Sequence, residues 1–414
     1  MKSKVILGAL ALLGLAGVAQ AQQAAHPQPI RGLISQLIPD QYIVELAPAA
    51  ARSGPLAQVV QGVVGSVGGG EVRQVYTHAL KGFSVRLPPA AAEALARNPR
   101  VLRIEQDRTL FLTETQFSPP SYGLDRIDQV NLPLDSQYSY PANAGQNVHV
   151  YVIDTGLNAA HTDFANRIAA GRNFAANGNE GLLCTLLGLG CPPTDPANTT
   201  DCNGHGTHVA GTAVGSSFGV AKRATLHPVR VFGCGRSTAT STIIAGVDWV
   251  TANRQLPAVV NMSLGGGASD LLDTAVNNLI DSGATVVVAA GNETANACNG
   301  SPSRVPRAIT IGATTNTDER ASYSNFGACV DLFAPGSNIV SAAYNNNTGS
   351  SSLSGTSMAS PHVAGAAARY LTVNSGASPA AVDAALKASA SSGKVGNPGS
   401  GSPNLLLRLD PSAY

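Results

Sequence analysis

The chain has 414 residues, of which 44% are hydrophobic and 12% are charged. This composition is too apolar for a disordered protein, and the charged fraction is about half of the roughly 25% found in average globular proteins. With 26 Lys and Arg against 25 Asp and Glu, the net charge of +1 leaves no basic excess for binding nucleic acid. We therefore expect a folded protein with a large core and no nucleic-acid partner.

The first segment has the pattern of a secretory signal peptide. Lys2 and Lys4 precede an uncharged apolar run at 5–18, and Ala-Gln-Ala at 19–21 supplies the small residues of a cleavage site. The alternative is a membrane anchor, but the run is shorter than the roughly 20 residues that span a bilayer. The sequence predicts a signal peptide over residues 1–21, a secreted chain and no membrane partner.

A small α+β unit follows a leader that is rich in Gln, Ala and Pro and extends to about residue 40. Pro88 and Pro89 open an Ala-rich helix that we expect to reach Arg97. The polar stretch TETQFSPPS, at 113–121, predicts a domain boundary. The predicted strands are QYIVEL (41–46), GFSVRL (82–87) and VLRIEQ (101–106).

The rest of the chain alternates short apolar strands with longer amphipathic stretches. Continuous apolar strands in such an alternation are typical of a parallel α/β sheet with helices on both faces. Ser378 and Pro379 mark the start of one late helix. The predicted strands are NVHVYVI (147–153), AVVNMSL (258–264), ATVVVAA (284–290) and AITIGA (308–313).

Polar side chains of three motifs could carry chemistry. Asp154 follows the strand NVHVYVI, at the carboxyl end where open α/β sheets bind ligands, although a single Asp there is more often a turn former or a helix N-cap. Ser357, in GTSMASPHVAG, is placed at a helix start whose amide groups can face an anion, although such a serine can also be a simple cap.

Two histidines lie in the third motif, CNGHGTHVAG. A metal site at His205 and His208 would need further ligands at close spacing, and HGTH lacks the acid of a zinc-protease helix motif. We interpret His208 as a structural histidine. His205 remains a candidate for the base that a nucleophilic serine requires.

The motifs DTG, GHGTHVAG and GTSMASPHVAG, in this order, resemble the catalytic signatures of the subtilisin-like serine proteases. The similarity extends from about Tyr122 to Leu409 and is greatest to the proteinase K and aqualysin branch. It implies a subtilisin-like catalytic domain over residues 116–414. Further matching stretches are YGLDRID (122–128), AGVDWV (245–250), VVNMSLGGG (259–267), AAGNE (289–293) and SNFGACVDLFAPG (324–336).

The resemblance implies a role for each site residue. Ser357 would be the nucleophile, His205 the general base and then acid, and Asp154 the carboxylate that orients the imidazole. Asn292 would form the oxyanion hole together with the backbone N–H of Ser357. An extended peptide would pair with the strand Ser263, Leu264, Gly265 and Gly266, with an apolar or aromatic preference at the residue before the scissile bond.

The small N-terminal unit is similar to the inhibitory propeptide of the same family, with a ferredoxin-like fold. We predict a propeptide over residues 22–115, with a folded part at about 41–112 and an autocatalytic cut within 112–116. Its tail is expected to lie in the active-site cleft until the cut. The alternative is an independent binding domain that stays attached.

All six cysteines lie in the second unit, where they allow many pairings in an oxidising compartment. The resemblance implies the bridges Cys202–Cys234 and Cys298–Cys329, which leaves Cys184 and Cys191 for each other. The last two lie in an apparent insertion, where stabilisation of the loop is favoured over a binding surface.

The resemblance also implies structural calcium, with no cofactor for catalysis. Solvated surface carboxylates are the alternative at both sites. One ligand set is Asp125, Asp128, Gln129 and Asp135, and the other is Asp331 with the carbonyls of Pro306 and Ala308.

Together these features predict a secreted, monomeric serine endopeptidase that acts on proteins and peptides and is held inactive by its own propeptide. Two alternatives stay open. One is an exported scaffold on an inactive protease fold, and the other is a serine esterase or amidase for small substrates.

Overall fold

The computed structural model describes residues 37–109, 112–175 and 194–410. The predicted signal peptide and the cysteines at 184 and 191 lie outside these residues. Among the described helices, none is both long and apolar enough to cross a membrane.

Residues 37–108 form a four-stranded antiparallel sheet with helices on one face. The strand order β2-β3-β1-β4 and the chain order β-α-β-β-α-β are ferredoxin-like, as expected. The elements are β1 (Leu37–Leu46), α1 (Pro48–Ala51), α2 (Leu56–Gly65), β2 (Glu71–Tyr76), β3 (Gly82–Arg86), α3 (Pro89–Ala96) and β4 (Val101–Arg108).

Buried and more exposed side chains alternate along the second half of β1, so that one face of the sheet packs against the helices. Val44 is fully buried and faces the helices, and it pairs with the buried Phe83 of β3. The sequence patterns did not predict α2 or β2, since α2 contains Gly62 and several valines, which have low helix propensity. The free energy gained by burying these valines against the sheet outweighs their low helix propensity.

Residues 113–410 are built around a nine-stranded sheet that is mostly parallel. The helices are α4 (Tyr122–Ile127), α5 (His205–Val214), α6 (Thr240–Asn253), α7 (Asp270–Asp281), α8 (Thr356–Val373) and α9 (Pro379–Ser389). The strands are β5 (Thr113–Phe117), β6 (Gln137–Pro141), β7 (His149–Asp154), β8 (Arg172–Asn173), β9 (Thr225–Arg230), β10 (Ala258–Met262), β11 (Gly266–Gly267), β12 (Thr285–Ala289), β13 (Gly300–Ser301), β14 (Ile309–Thr314), β15 (Leu332–Pro335), β16 (Ile339–Ala342), β17 (Ser350–Leu353), β18 (Ser391–Ser392) and β19 (Leu405–Leu406).

Side chains of the central strands alternate between two cores, so that helices cover both faces of the sheet. Val150 and Val152 of β7 belong to the core that includes α5 and α8. Tyr151 and Ile153 belong to the core that includes α6 and α7. The predicted parallel α/β architecture is confirmed, and Ser378 caps α9 as expected.

The large sheet has the strand order β18-β19-β15-β14-β12-β10-β7-β9-β8. Strands β7, β10 and β12 are neighbours and run parallel, so their carboxyl ends meet at one edge. Asp154, Ser263 and Asn292 lie at or just beyond these ends. The fold therefore brings together side chains that are far apart along the chain.

The polar stretch after residue 112 contains a strand that the sequence patterns did not predict. Its first part is β5, which pairs antiparallel with β6 from Thr113↔Pro141 to Phe117↔Gln137. Polar residues suit this strand because it lies on the surface, with most of its side chains exposed.

Candidate active site

Asp154 and His205 form the contact on which the site is built. Asp154 ends β7 and is 1% exposed, and His205 is the first residue of α5. The Nδ1 atom of His205 lies 2.8 Å from Asp154 Oδ1 and 2.9 Å from Asp154 Oδ2. Because a carboxylate can only accept, Nδ1 carries the proton and Nε2 is left to accept one.

Two opposing effects act on the imidazole of His205. Burial lowers the pKa of His205, whereas the charge and the hydrogen bond of Asp154 raise it. The carboxylate prevails, so that the pKa of His205 lies above its ordinary value. The protonated ring is therefore stabilised, as a group that takes up a proton during a reaction requires.

Ser357 is the second residue of α8 and is held by contacts with the end of β10. Its Oγ donates to the carbonyl of Ser263 at 3.2 Å, and its own carbonyl accepts from Ser263 Oγ at 2.8 Å. Asn261 Nδ2 donates to Ser263 Oγ at 2.9 Å, and Ser360 Oγ donates to Asn261 Oδ1 at 2.7 Å. These bonds fix the start of α8 against the sheet.

Asn261 and Ser360 are not among the site residues predicted from the sequence. Both side chains are fully buried. The available signal was a polar residue inside the apolar strand AVVNM, since a buried polar group must find a hydrogen-bond partner.

A cleft of about 550 Å³ brings Asp154, His205, Asn292 and Ser357 together. Ser263, Leu264 and Gly265 form one wall of the cleft. A second cavity of about 400 Å³ adjoins it beyond Asn292 and is lined by Leu264 and by the glycines that follow it. Ser357 lines both spaces, so that its hydroxyl can meet a ligand that extends from one into the other.

The orientation of Asn292 follows from its hydrogen bonds. Its Oδ1 accepts from the backbone N–H of Thr356 at 2.8 Å and from Thr356 Oγ1 at 3.1 Å. The carbonyl end of the amide is therefore occupied by the start of α8, and the NH₂ end remains to donate. Asn292 thus provides a donor beside Ser357.

Asp201 is a buried carboxylate that was not predicted from the sequence. It accepts from Thr155 Oγ1 at 2.9 Å and from Thr207 Oγ1 at 2.6 Å. It also accepts from the N–H groups of Asn203, Gly204 and Thr207. These bonds join the turn after Asp154 to the first turn of α5, and an acid placed just before a helix start was the available signal.

His208 has the environment of a structural histidine, as expected. It is fully buried, and its Nε2 lies 2.9 Å from the carbonyl of Ile339 and 3.1 Å from that of Ser351. Burial lowers the pKa of His208 to about 4. His208 therefore stays neutral near pH 7 and ties α5 to β16 and β17.

The four residues predicted to pair with a peptide, 263–266, directly follow the end of β10. Ser263 and Leu264 are buried, whereas Gly265 and Gly266 are exposed. A Cβ atom on Gly266 would meet no other atom within 4 Å, so the surface beside it is open. Gly266 pairs with Ser301 through β11 and β13, which holds the end of this segment.

Two disulfides are present among the described residues, and both have the expected partners. Cys202 is bonded to Cys234, and Cys298 is bonded to Cys329. The first bridge lies next to the start of α5. The predicted third pair, Cys184 with Cys191, lies outside the described residues.

The acidic cluster of the first predicted calcium site consists of Asp125, Asp128 and Asp135, with Gln129 nearby. Burial, and then the charges of Asp135 and Asp125, raise the pKa of Asp128 to about 7. A cation bound here would relieve the repulsion among these carboxylates. Within the described residues no three acidic, His or Cys side chains form a metal site by themselves, so carbonyl or water oxygens would have to complete the shell.

Asp331, at the second predicted calcium site, already has a cationic partner. Lys387 Nζ lies 2.6 Å from Asp331 Oδ1 and 2.8 Å from Asp383 Oδ2. The other oxygen of Asp331 accepts from the N–H of Thr310 at 2.8 Å. A divalent ion held with the carbonyls of Pro306 and Ala308 would have to compete with this ammonium group.

The residues around the predicted propeptide cut lie at the far end of α5. Gln116 Nε2 donates to the carbonyl of Ser217 at 2.9 Å, and Lys222 Nζ donates to Gln116 Oε1 at 2.8 Å. About 14 Å of helix separates His205 from Val214, which precedes Ser217. The segment 113–117 is paired with β6, and none of its residues is among the described lining of the cleft.

Comparison with known proteins gives consistent matches over both parts of the chain. The profile described as the subtilase family matches residues 145–404, and the profile described as peptidase inhibitor I9 matches residues 41–113. The first match covers most of the large sheet and its helices. The second coincides with the ferredoxin-like sheet.

Individual relatives cover nearly the whole chain. "Extracellular serine proteinase" of Thermus sp. (strain Rt41A) is 47% identical over 96% of this chain and 97% of its own length. "Alkaline serine exoprotease A" of Vibrio alginolyticus is 45% identical over 95% of this chain and 72% of its own length. A crystal structure of a cold adapted subtilisin-like serine proteinase has 49% sequence identity, covers 69% of this chain and 97% of its own, and superposes with a TM-score of 0.63.

Proposed function

The chain belongs to the subtilase family of serine proteinases, and we propose that it is a secreted endopeptidase that cleaves proteins with broad specificity through an acyl-enzyme. The observation that carries the proposal is the hydrogen bond between His205 and Asp154 in the same cleft as Ser357 and Asn292. Secretion is supported by the signal-peptide pattern at 1–21 and by the relative from Thermus, whose name describes an extracellular enzyme.

In the proposed reaction, Ser357 Oγ attacks the carbonyl carbon of the scissile bond while His205 Nε2 takes up its proton. Asp154 keeps the ring in the tautomer that leaves Nε2 free, and it stabilises the imidazolium without taking the proton. His205 then gives the proton to the leaving amine, and a water molecule hydrolyses the acyl-enzyme by the same steps. Before the reaction, the Ser357 hydroxyl must rotate from the Ser263 carbonyl toward His205.

The negative charge of the tetrahedral intermediate would be stabilised by two donors. One is the side-chain amide of Asn292, whose NH₂ end is free to donate, and the other is the backbone N–H of Ser357. In enzymes that use such a pair, the loss of one donor lowers kcat by about 10²–10³.

The substrate would bind as an extended strand along Ser263–Gly266. Backbone pairing is independent of side chains, which supports broad specificity for protein substrates. The side chain before the scissile bond would enter the cavity of about 400 Å³ beside Leu264.

We assign residues 1–21 to a signal peptide, 22–115 to an inhibitory propeptide and 116–414 to the catalytic domain. The match to peptidase inhibitor I9 over residues 41–113 supports the propeptide. Autocatalytic cleavage within 112–116 requires this segment to reach Ser357. The pairing of β5 with β6 would then form after the cut and hold the new N-terminus away from the cleft.

Calcium is proposed as a structural ion only. Asp125, Asp128, Gln129 and Asp135 would hold it with oxygen ligands, and its charge would relieve the repulsion among the carboxylates. The second set, at Asp331, is the weaker proposal because Lys387 already neutralises that carboxylate.

The proposal is tested by expressing the wild type beside Ser357→Ala, with Ser375→Ala as an exposed-serine control. Wild type and Ser375→Ala should lose the segment up to about residue 115 and cleave casein, and a serine-directed inhibitor should abolish that cleavage. Ser357→Ala should keep its propeptide and leave casein intact.

Each alternative gives a different result in the same experiment. Equal processing of Ser357→Ala and wild type would disprove self-cleavage. Hydrolysis of small esters without cleavage of casein would indicate an esterase. If purified wild type has no hydrolytic activity, the fold serves as a scaffold.

A further inference from the structure

Arg236 places a positive charge in the proposed substrate cleft. It follows β9 in the loop that leads to α6, and its side chain is exposed and lines the cleft beside Phe232 and Gly235. Within residues 37–109, 112–175 and 194–410, it has no hydrogen-bond or ion-pair partner. An exposed guanidinium in a binding cleft is available to a ligand carboxylate.

The backbone that carries Arg236 is fixed on the cleft wall. The disulfide between Cys202 and Cys234 anchors the loop two residues earlier. The side-chain amide of Asn203 donates to the carbonyls of Cys234 and Gly235, at 3.2 and 3.0 Å. The guanidinium therefore extends from a positioned base, which lowers the entropy cost of a contact with substrate.

No acidic side chain of the described cleft lining is free to neutralise this charge. Asp154 lines the cleft but is buried and paired with His205. Burial lowers the pKa of His205, the carboxylates of Asp154 and then Asp201 raise it, and the positive charge of Arg236 lowers it to a smaller extent. Arg236 is therefore close enough to the reacting groups to act on them electrostatically.

The adjoining cavity has the opposite character. Its charged residue among the described lining is Glu293, whose Oε2 accepts from Asn325 at 2.7 Å. The cationic wall of the site thus lies on the side of His205, and the acidic wall lies beyond Asn292.

The geometry of an extended peptide decides which side chain meets Arg236. Successive side chains of a strand point to opposite faces. If the residue before the scissile bond enters the cavity beside Leu264, the residue before that one points to the opposite side, toward His205 and Arg236. Building on the proposed endopeptidase activity, we infer that Arg236 is a specificity-determining residue that favours Asp or Glu at the second residue before the scissile bond.

The expected preference is modest and sensitive to salt. An exposed ion pair changes a free energy by an amount that corresponds to about two- to five-fold in kcat/KM. Because the Debye length falls from about 10 Å at 0.1 M salt to about 3 Å at 1 M, the preference should shrink as salt is added.

The test measures kcat/KM for three peptides that differ only in Glu, Gln or Lys at that second position. The enzymes are the mature wild type, Arg236→Gln, Arg236→Glu and the control Arg172→Gln, which removes an exposed arginine outside the cleft lining. Wild type and Arg172→Gln should favour Glu over Gln by about two- to five-fold. Arg236→Gln should cleave the Glu and Gln peptides with equal kcat/KM, and Arg236→Glu should favour the Lys peptide over both.

Two results would overturn the inference. One is the same Glu-to-Gln ratio in wild type and Arg236→Gln. The other is an equal loss of kcat/KM for all three peptides in Arg236→Gln, which would indicate a structural role. In both cases the peptides are still cleaved, so the result is distinct from a failure of the proposed function, in which wild type cleaves none of them.

Discussion

The two parts of the molecule differ in what they bury. Among the described residues before Arg108, Ser84 is the one buried polar side chain, and the core consists of residues such as Val44, Phe83 and Leu95. The larger part buries many polar and charged groups, including Asp154, Asp201 and His208. Burial of a polar group costs free energy unless the group forms hydrogen bonds. The larger part therefore contains buried hydrogen-bond networks, whereas the core of the N-terminal sheet is almost entirely apolar.

The buried polar networks thus belong to the part of the molecule that contains the candidate active site. The N-terminal sheet needs a stable shape, which an apolar core provides. The large sheet must hold acids, histidines and a serine in fixed orientations, and only buried hydrogen bonds do so. Substitutions in the two parts should therefore have different consequences.

The largest effect is expected from Asp154→Asn. The amide keeps the size of the side chain but can present an NH₂ group to His205, which favours the wrong tautomer, and kcat should fall by about 10⁴. Because the Asp154 carboxylate raises the pKa of His205, the acid limb of the residual activity should move to lower pH. Kinetics of purified mature enzyme from pH 4 to 10 would measure both, and an unchanged acid limb would contradict the assignment.

The N-terminal sheet can be destabilised selectively by Phe83→Ala in a Ser357→Ala background, in which the proposed self-processing cannot occur. Removing a fully buried ring should destabilise the N-terminal sheet by about 3–5 kcal/mol. Hydrogen exchange should show lost protection in β1 and β3 and unchanged protection in β7 and β10. Leu102→Ala is the control, since Leu102 is 57% exposed and its truncation should have little effect. Equal loss in both sheets would mean that the two parts unfold together.

Calcium binding is expected to have a smaller effect on the free energy of unfolding, and only in the larger part of the molecule. Without a cation, the pKa of Asp128 is raised to about 7, so between about pH 4 and 7 the folded state binds more protons than the unfolded state. The free energy of unfolding should therefore fall as pH rises through this window in EGTA. Calcium at 100 times its Kd should restore about 2.7 kcal/mol, with the greater gain at pH 8 than at pH 5.

Thermal unfolding of the mature enzyme with calcium or EGTA would measure this effect. Asp128→Asn should remove most of the response. Asp383→Asn, beside the second predicted site, should leave it unchanged because Lys387 still pairs with Asp331. A full response in Asp128→Asn would place the ion elsewhere.

Much of the fold and of the candidate site could be predicted because the signals are local or follow from strand geometry. The apolar runs that became β7, β10, β12 and β14 and the capped start of α9 were all correctly predicted. α2 was missed because its helix is stabilised by contacts with the sheet and not by its own propensity. β5 was missed because its polar side chains carry no strand pattern, and its partner β6 lies further along the chain.

The residue types of the site, their order along the chain and the strand ends that place them at one edge of the sheet could all be read from the sequence. It could not determine that Asp201 joins Thr155 to α5, that Asn261 and Ser360 hold Ser263, or that Lys387 neutralises Asp331. Those partners are far apart in sequence, and each bond depends on side-chain positions that arise only when the helices pack on the sheet. Periodicity and capping report local preferences of the backbone, whereas hydrogen-bond partners and the position of a charge such as Arg236 in the cleft are consequences of tertiary packing.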